Sequence, residues 1–163
     1  MDRAHGVRDD WLALVGWVLL LVGMGAGSGM LFGPDAWFAA LEKPAWNPPS
    51  WLFGPVWTTL YAMMALALWL VRREPEAQDG RRKRAQGLFA LQFALNMAWT
   101  PVFFGLHSPS MALITIGLLW VTLLATMLAF FKVRVLAGAL LVPYLLWVSF
   151  ATALNGAIWQ LNS

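Results

Sequence analysis

Four long stretches of this chain contain no Asp, Glu, Lys or Arg, and they restrict its fold more than any other feature. They cover residues 11–32, 47–71, 85–131 and 135–163 of the 163-residue sequence. Charged residues make up only 12% of the chain, against about 25% in an ordinary soluble domain. Apolar segments of this length cross a membrane as helices, because backbone groups in hydrocarbon must be paired within the segment. The sequence therefore predicts an all-α integral membrane protein.

The third stretch is long enough for two spans, so it must turn once. Small polar residues and a proline in the segment His107-Ser108-Pro109-Ser110 mark that turn. The result is a single domain, a bundle of five transmembrane helices, with spans at about residues 11–32, 51–71, 85–106, 110–131 and 135–159. Pro143 lies inside the last span, where we expect a kink or a local break.

The basic residues fall on one side of this predicted bundle. Because five spans alternate in direction, the amino terminus shares a side with the loops near residues 72–84 and 132–134. That side carries ten Lys and Arg residues, and the opposite side carries only Lys43. Cytoplasmic loops are enriched in Lys and Arg, so we expect the cytoplasmic membrane, with the amino terminus inside and the carboxyl terminus outside. The net charge of +3 then reflects topology and contact with anionic lipid, not nucleic-acid binding.

Several classes of site are disfavoured by what the predicted spans lack. The spans contain no Asp, Glu, Lys, Arg or His, and the chain has no cysteine. Proton relays, ion paths and haem ligation by histidine need such residues. We therefore expect no metal site, no resident cofactor and no conventional acid–base catalysis. An alternating-access transporter is also disfavoured, because five spans show no evident inverted repeat.

Polar and aromatic side chains share one face of the third predicted helix and one face of the fifth. On the third they lie within about 60° of one another at 100° per residue, and they are Gln92, Asn96, Trp99 and Phe103. On the fifth they lie within about 80°, and they are Tyr144, Trp147, Ala151 and Asn155. The buried amides either bond helices to one another or line a cavity, and the sequence leaves both readings open.

The opposite face of the third helix carries a stripe of small residues, Ala90, Ala94 and Ala98. Such a stripe allows close approach of a second helix in a membrane. The contact is either internal or between two copies of the chain. Because the polar face already points inward, we favour a homodimer. The first span has a similar run of glycines at residues 23–29, for which we expect close backbone packing.

The segment before the second span combines rigid turns with large aromatic side chains. KPAWNPPSW at residues 43–51 contains three prolines, which fix the backbone and should hold Trp46 and Trp51 over the helix ends. The preceding PDAWFAALEKP predicts a short interfacial helix that starts at Pro34 and has Trp37 on its apolar side. A rigid aromatic lid over an uncharged aromatic pocket suits a flat, apolar ligand. Lys43 would meet an acid group of that ligand or stay solvated beside Glu42.

Three segments resemble a known family: KPAWNPPSWLFGPVWTTLY, LNMAWTPVFFG and LVPYLLWVSFATALN. They are similar to the signature segments of the tryptophan-rich sensory protein family, whose animal members are the translocator proteins. The resemblance covers residues 11–155. It implies a five-helix bundle, often dimeric, that binds porphyrins such as protoporphyrin IX and haem, cholesterol-like sterols and benzodiazepine-type drugs under the first loop. Some bacterial relatives are placed in the outer membrane, which is the alternative location.

The resemblance also implies roles for individual residues. Trp57 and Trp147 match tryptophans implicated in porphyrin binding and in light-dependent porphyrin breakdown. Other positions match the family's pocket: Trp37, Trp46, Asn96, Trp99 and Ala151. Animal members carry a sterol motif late in the fifth helix, with a tyrosine followed by a basic residue. Here that stretch reads ALNGAIWQLN, which has neither and argues against sterol binding through that motif.

Residues and resemblance together predict a membrane receptor or carrier for tetrapyrroles and related hydrophobic ligands, with a role in porphyrin or stress sensing or in transport. The alternative is a light- and oxygen-dependent enzyme that degrades porphyrin, with Trp57 and Trp147 as its redox-active residues. Indole can be oxidised, so this chemistry needs no acid, base or metal. Nothing in the sequence requires it.

Overall fold

A computed structural model describes residues 2–74 and 79–163, with side chains from residue 10 onward. Every regular element in those ranges is helical. The α-helices are α1 (Asp2–Leu31), α2 (Ala36–Ala40), α3 (Phe53–Arg72), α4 (Asp79–Thr100), α5 (Pro109–Val133), α6 (Val135–Leu140) and α7 (Val142–Leu161). A 3-10 turn at Ser50–Leu52 precedes α3, and a π-helical turn at Pro101–Gly105 follows α4.

Five helical segments are long and apolar enough to cross a membrane, which confirms the predicted five-helix membrane bundle. They are Asp10–Leu31, Ser50–Arg72, Asp79–Gly105, Pro109–Val133 and Val135–Leu161. The third span starts six residues before its predicted boundary at residue 85. Arg and Lys are good helix formers, so the basic residues 81–84 extend α4 beyond the apolar run.

The helices form a closed ring around a narrow core. In this ring α1 packs along α3, and α3 packs along α6. Both α6 and α7 pack along α5, which in turn packs along α4. The ring closes where α4 contacts α1, and α4 also contacts α3. Met64, Leu123 and Tyr144 are among the side chains fully enclosed by the ring. Leu21 is the one buried side chain of α1 among residues 10–31, so α1 lies at the periphery.

Polar contacts gather the basic residues at one end of the bundle. At one end the Trp69 indole N–H donates to the Asp10 carbonyl at 3.0 Å, and Arg134 lies 3.7 Å from Glu74. These contacts gather the start of the first span, the end of α3 and the α5–α6 junction into what we call the basic end. The structure thus groups the basic loops as predicted. Arg3, Arg8 and residues 75–78, which the sequence assigns to the same side, lie outside the described side chains. We call the other end the loop end.

Proline shapes two of the membrane helices. Pro143 falls in the first turn of α7, where its missing N–H leaves no hydrogen bond unmade, and the predicted break lies just before it, between Leu140 and Val142. Pro101 was not predicted to alter α4. It widens the helix into the π-helical turn, which is closed by a bond from the Leu106 N–H to the Pro101 carbonyl at 2.9 Å.

Candidate functional site

A cavity of about 410 Å³ lies in the half of the bundle nearest the loop end, enclosed by α1, α3, α4, α5 and α7. Its volume is within the range of about 300–1,000 Å³ that small-molecule sites occupy. Eight of its lining residues are aromatic: Phe38, Phe53, Trp57, Tyr61, Trp99, Phe103, Phe104 and Trp147. Among the residues that the structure describes, no Asp, Glu, Lys, Arg or His lines it.

The structure brings most of the predicted ligand residues to this cavity. Those on its wall are Trp57, Asn96, Trp99, Phe103, Trp147, Ala151 and Asn155. The other four predicted residues lie beside it. Gln92 and Tyr144 are buried beneath its floor. Trp37 and Trp46 pack against its outer rim, with their rings 5.9 Å from Phe103 and 5.7 Å from Phe150.

A chain of hydrogen bonds forms the polar floor of the cavity. The Tyr61 hydroxyl donates to the Asn96 side-chain oxygen at 2.8 Å, and the Asn96 amide donates to the Tyr144 hydroxyl at 2.8 Å. Tyr144 in turn donates to the Gln92 side-chain oxygen at 3.1 Å. The amides therefore bond α3, α4 and α7 together. Gln92 does not line the cavity, and Asn96 lines it with one donor and one acceptor site already bonded to the tyrosines.

A second polar link joins α4, α7 and the start of α5. The Trp99 indole N–H donates to the Asn155 side-chain oxygen at 3.1 Å, and the Asn155 amide donates to the Pro109 carbonyl at 2.8 Å. The predicted polar residues of the third and fifth spans are thus paired with structural partners. The cavity therefore offers a ligand mainly the faces of its aromatic rings.

The aromatic rings of the wall are fixed by contacts with one another. Trp57 stacks on Tyr61 at 5.5 Å, and Trp99 stacks on Phe103 at 5.1 Å. Trp147 meets Phe53 edge to face at 5.9 Å. Tyr61 was missed by the sequence reasoning, although its position one helical turn after Trp57 was a usable signal.

Small residues of α1 complete the wall opposite α4 and α7. A Cβ atom on Gly25 would lie 2.0 Å from the Tyr61 ring, so glycine allows α1 and α3 to touch there. The sequence suggested close packing for the whole glycine run. At Gly23, Gly27 and Gly29, by contrast, a Cβ atom would meet no heavy atom of this chain within 4 Å, so within the chain they do not make the close contact that Gly25 makes.

The helix α2 and its flanks form a lid over the cavity. This helix begins at Ala36 and not at Pro34, because the Asp35 carboxylate caps it by accepting the Phe38 N–H at 3.0 Å. Asp35 also pairs with the His107 imidazole at 2.9 Å, and Trp37 stacks on that ring. The Phe38 N–H, and secondly His107, hold the pKa of the Asp35 carboxyl below its usual value.

Lys43 has a structural role that the sequence did not suggest. Its ammonium group donates to the carbonyls of Phe38, Ala39 and Leu41 at 2.6, 3.4 and 3.0 Å, and it lies 4.6 Å from the Phe38 ring centre. It therefore closes the carboxyl end of α2, where cations are favoured by the unpaired carbonyls. It does not line the cavity, and it is not simply solvated beside Glu42.

The far end of the lid is held by the last residues of the chain. The Asn162 side chain accepts the Glu42 N–H at 3.0 Å and donates to the Glu42 carbonyl at 2.9 Å. It also donates to the Ile158 carbonyl at 2.8 Å. One amide thus ties the lid to α7 across 120 residues of sequence.

Comparison with known proteins extends over almost the whole chain. The TspO/MBR family matches residues 15–160. The chain is 47% identical to the Tryptophan-rich protein TspO of Chlorobaculum tepidum, covering 93% of this chain and 95% of the relative. It is 43% identical to the Tryptophan-rich sensory protein of Cereibacter sphaeroides, covering 94% and 93%. It is 39% identical to the human Translocator protein, covering 96% and 94%. These matches include every segment that lines the cavity, and the chain therefore belongs to the TspO/MBR family.

Proposed function

We propose that this protein binds flat, hydrophobic molecules in its cavity, and that tetrapyrroles such as protoporphyrin IX and haem are its leading ligands. The observation that carries this proposal is an aromatic cavity of about 410 Å³ whose described lining has no ionisable side chain. Membership of the TspO/MBR family supports a membrane receptor or a transport-type role. The names of two relatives, a sensory protein and a translocator protein, agree with sensing or transport.

The bonded polar groups of the cavity support an apolar ligand centre. Asn96 and Asn155 each accept one hydrogen bond and donate one within the protein, so part of their bonding capacity is already used. A ligand rich in polar groups would lose water there that these side chains replace only in part. Indole and phenyl faces favour the flat face of an aromatic ring. Sterol-like and benzodiazepine-type molecules fit the same description, and we propose that they would share this cavity.

A porphyrin titration tests this function. Protoporphyrin IX should quench the tryptophan fluorescence of the detergent-solubilised protein in a saturable way at micromolar concentration. Replacing Trp147→Phe removes one indole of the wall, so affinity should fall by about 0.5–1.5 kcal/mol, or about two- to tenfold. Because no histidine lines the described cavity, haem should bind about as tightly as the metal-free ring.

The matched control is Trp159→Phe on the same helix, since Trp159 is exposed and does not line the cavity. It should leave the titration unchanged. Linear quenching that no variant alters would mean that the porphyrin only partitions into the micelle, and the tetrapyrrole assignment would be rejected.

A second candidate function is light- and oxygen-dependent degradation of the bound porphyrin. It is favoured by the stacked pair Trp57 and Tyr61 on the cavity wall, two oxidisable side chains with ring centres 5.5 Å apart. Illumination of the complex in air should then give a new product spectrum that is lost in Trp57→Phe or Trp147→Phe. Bleaching no faster than in detergent alone would reject an enzymatic role.

We also propose an orientation and an assembly. The basic end would face the cytoplasm and the loop end would face the outside. Thiol labelling of Ser163→Cys in intact cells would test this orientation.

Ala90 and Ala94 are exposed on the outer face of α4, and Ala98 is half-buried there, which supports a homodimer through this stripe. Failure of Ala94→Cys to form a disulfide-linked dimer in native membranes would count against that interface.

A further inference from the structure

The wall of the cavity is closed on all sides except one. The lining residues contributed by α4, the π-helical turn, α5 and α7 are all buried or half-buried. The exposed lining residues come from α1, the loop after it, the 3-10 turn and the start of α3, and they are Ala26, Gly29, Pro34, Ser50, Gly54 and Thr58. The cavity is therefore reachable from outside the bundle along the line where α1 and α3 face each other.

The residues that border this opening leave it unobstructed. Ala26 and Gly29 lie one turn apart on α1, and Gly54 and Thr58 lie one turn apart on α3. No heavy atom lies within 4 Å of a Cβ position on Gly29 or Gly54. One turn deeper the two helices meet, where Gly25 touches the Tyr61 ring. The opening is thus a slot with a closed lower end.

The position of the slot places its deeper part in hydrocarbon. Thr58 lies five residues into α3, and Ala26 lies five residues before the end of α1, which is about 7.5 Å of helix in each case. Both helices belong to membrane spans. The slot therefore runs from near the helix ends, where Gly29 and Gly54 lie, to about 7.5 Å inside the two spans, and its deeper part is placed to face lipid chains.

The route from water above the cavity is covered by the lid. Two sets of contacts hold the lid on the bundle: Asp35 to His107, and Asn162 to the backbone of Glu42. Both would have to loosen before the lid could lift as a unit. The slot needs no such rearrangement.

We propose that the cavity is loaded sideways, from the lipid bilayer, through a doorway between α1 and α3 bordered by Ala26, Gly29, Gly54 and Thr58. An apolar molecule is concentrated in the bilayer, and this doorway lets it reach the aromatic wall without passing through water. The inference rests on the proposed function only in that the cavity accepts an apolar molecule. It adds the route and the residues that control it.

The absence of cysteine from the chain allows a test that does not depend on the physiological ligand. Ala151→Cys places a thiol inside the cavity of the protein reconstituted in liposomes. Its rate of modification by a pyrene maleimide dissolved in the bilayer is compared with its rate for a sulfonated, water-soluble maleimide. Met30→Cys, at a position that is 86% exposed on α1, serves as the reference for reagent access from lipid.

We expect the bilayer-dissolved reagent to modify Ala151→Cys readily and the charged reagent to modify it slowly. Adding Gly29→Leu and Gly54→Leu should slow the first reaction by about tenfold or more, equivalent to at least about 1.4 kcal/mol of added barrier. Gly27→Leu is the matched control, because Gly27 is on the same helix, has equal room for a side chain and does not line the cavity. It should leave the rate unchanged.

Two results would overturn the doorway. The first is an unchanged modification rate in the leucine pair, or in Ala26→Phe should the pair fail to fold. The second is a charged reagent that modifies Ala151→Cys as fast as the bilayer-dissolved reagent does, and faster still in Asn162→Ala, which removes one of the contacts that hold the lid. That result would place the route above the cavity. A porphyrin titration of the same proteins reports separately on the proposed function, so either idea can fail without the other.

Discussion

Asn96 lies at the centre of the polar floor of the cavity, with a tyrosine hydroxyl on each side of its amide. In hydrocarbon there is no water to bond an unpaired amide or hydroxyl, so each polar group in this series of hydrogen bonds depends on its neighbours for a partner. Tyr144 is an interior member, bonded to both Asn96 and Gln92, whereas Tyr61 is a terminal member bonded only to Asn96. The two tyrosines should therefore differ in their importance for stability.

Removing single hydroxyls measures this difference. Tyr144→Phe leaves a donor on Asn96 and an acceptor on Gln92 without partners, so it should lower the free energy of unfolding by about 1–3 kcal/mol. Tyr61→Phe leaves one acceptor unpaired and should cost less, about 0.5–1.5 kcal/mol, in line with hydrogen bonds measured within membranes. Unfolding in mixed micelles of increasing denaturing detergent gives both values. Equal losses in the two variants would show that the bonds do not act as a chain.

At the level of helices, one glycine sets how closely α1 approaches α3. Leu21 is the one buried side chain of α1 among residues 10–31, while Trp17, Val18 and Val22 pack against the core half-buried. The approach of its backbone to the Tyr61 ring at Gly25 is the closest contact that the glycine run makes. This contact also sets the lower end of the slot between α1 and α3, which links the packing of α1 to access to the cavity.

Two alanine substitutions in the same helix should have opposite effects. Gly25→Ala puts a methyl group where the Tyr61 ring lies and should destabilise the protein by about 1–3 kcal/mol. Gly23→Ala meets no neighbour and removes a flexible residue from a helix, so it should be neutral or stabilise by up to about 1 kcal/mol. Thermal unfolding of the two variants in one detergent checks the sign of each change. A stabilising Gly25→Ala would mean that the contact with Tyr61 is not close.

For the molecule as a whole, the membrane makes the architecture readable from the sequence. Runs without charge must be spans, so their number and approximate bounds follow from solvation alone. The inward face of α4 followed in the same way from helical periodicity. That Gln92 and Asn96 belong to a hydrogen-bonded network could not be predicted in this way. A partner such as Tyr61 lies on another helix, and the periodicity of one helix cannot identify it.

The parts that sequence reasoning missed are those set by contacts distant in the chain. From the sequence, Pro101 could have been taken as the site of a kink. That the helix instead widens into a π-helical turn there depends on how α4 packs against its neighbours. Lys43 looked like a free cation because its carbonyl partners are not chemically distinctive. The bond from Asn162 to Glu42 joins residues 120 positions apart, and no local pattern signals it.

That last contact has a practical consequence for handling the protein. An affinity tag fused after Ser163 would begin two positions from Asn162, whose side chain helps to hold the lid in place. A tag at the amino terminus would instead be attached at the basic end, on the far side of the bundle from the cavity. Purification handles, fluorophores and surface tethers intended for ligand-binding work therefore belong on the amino-terminal side.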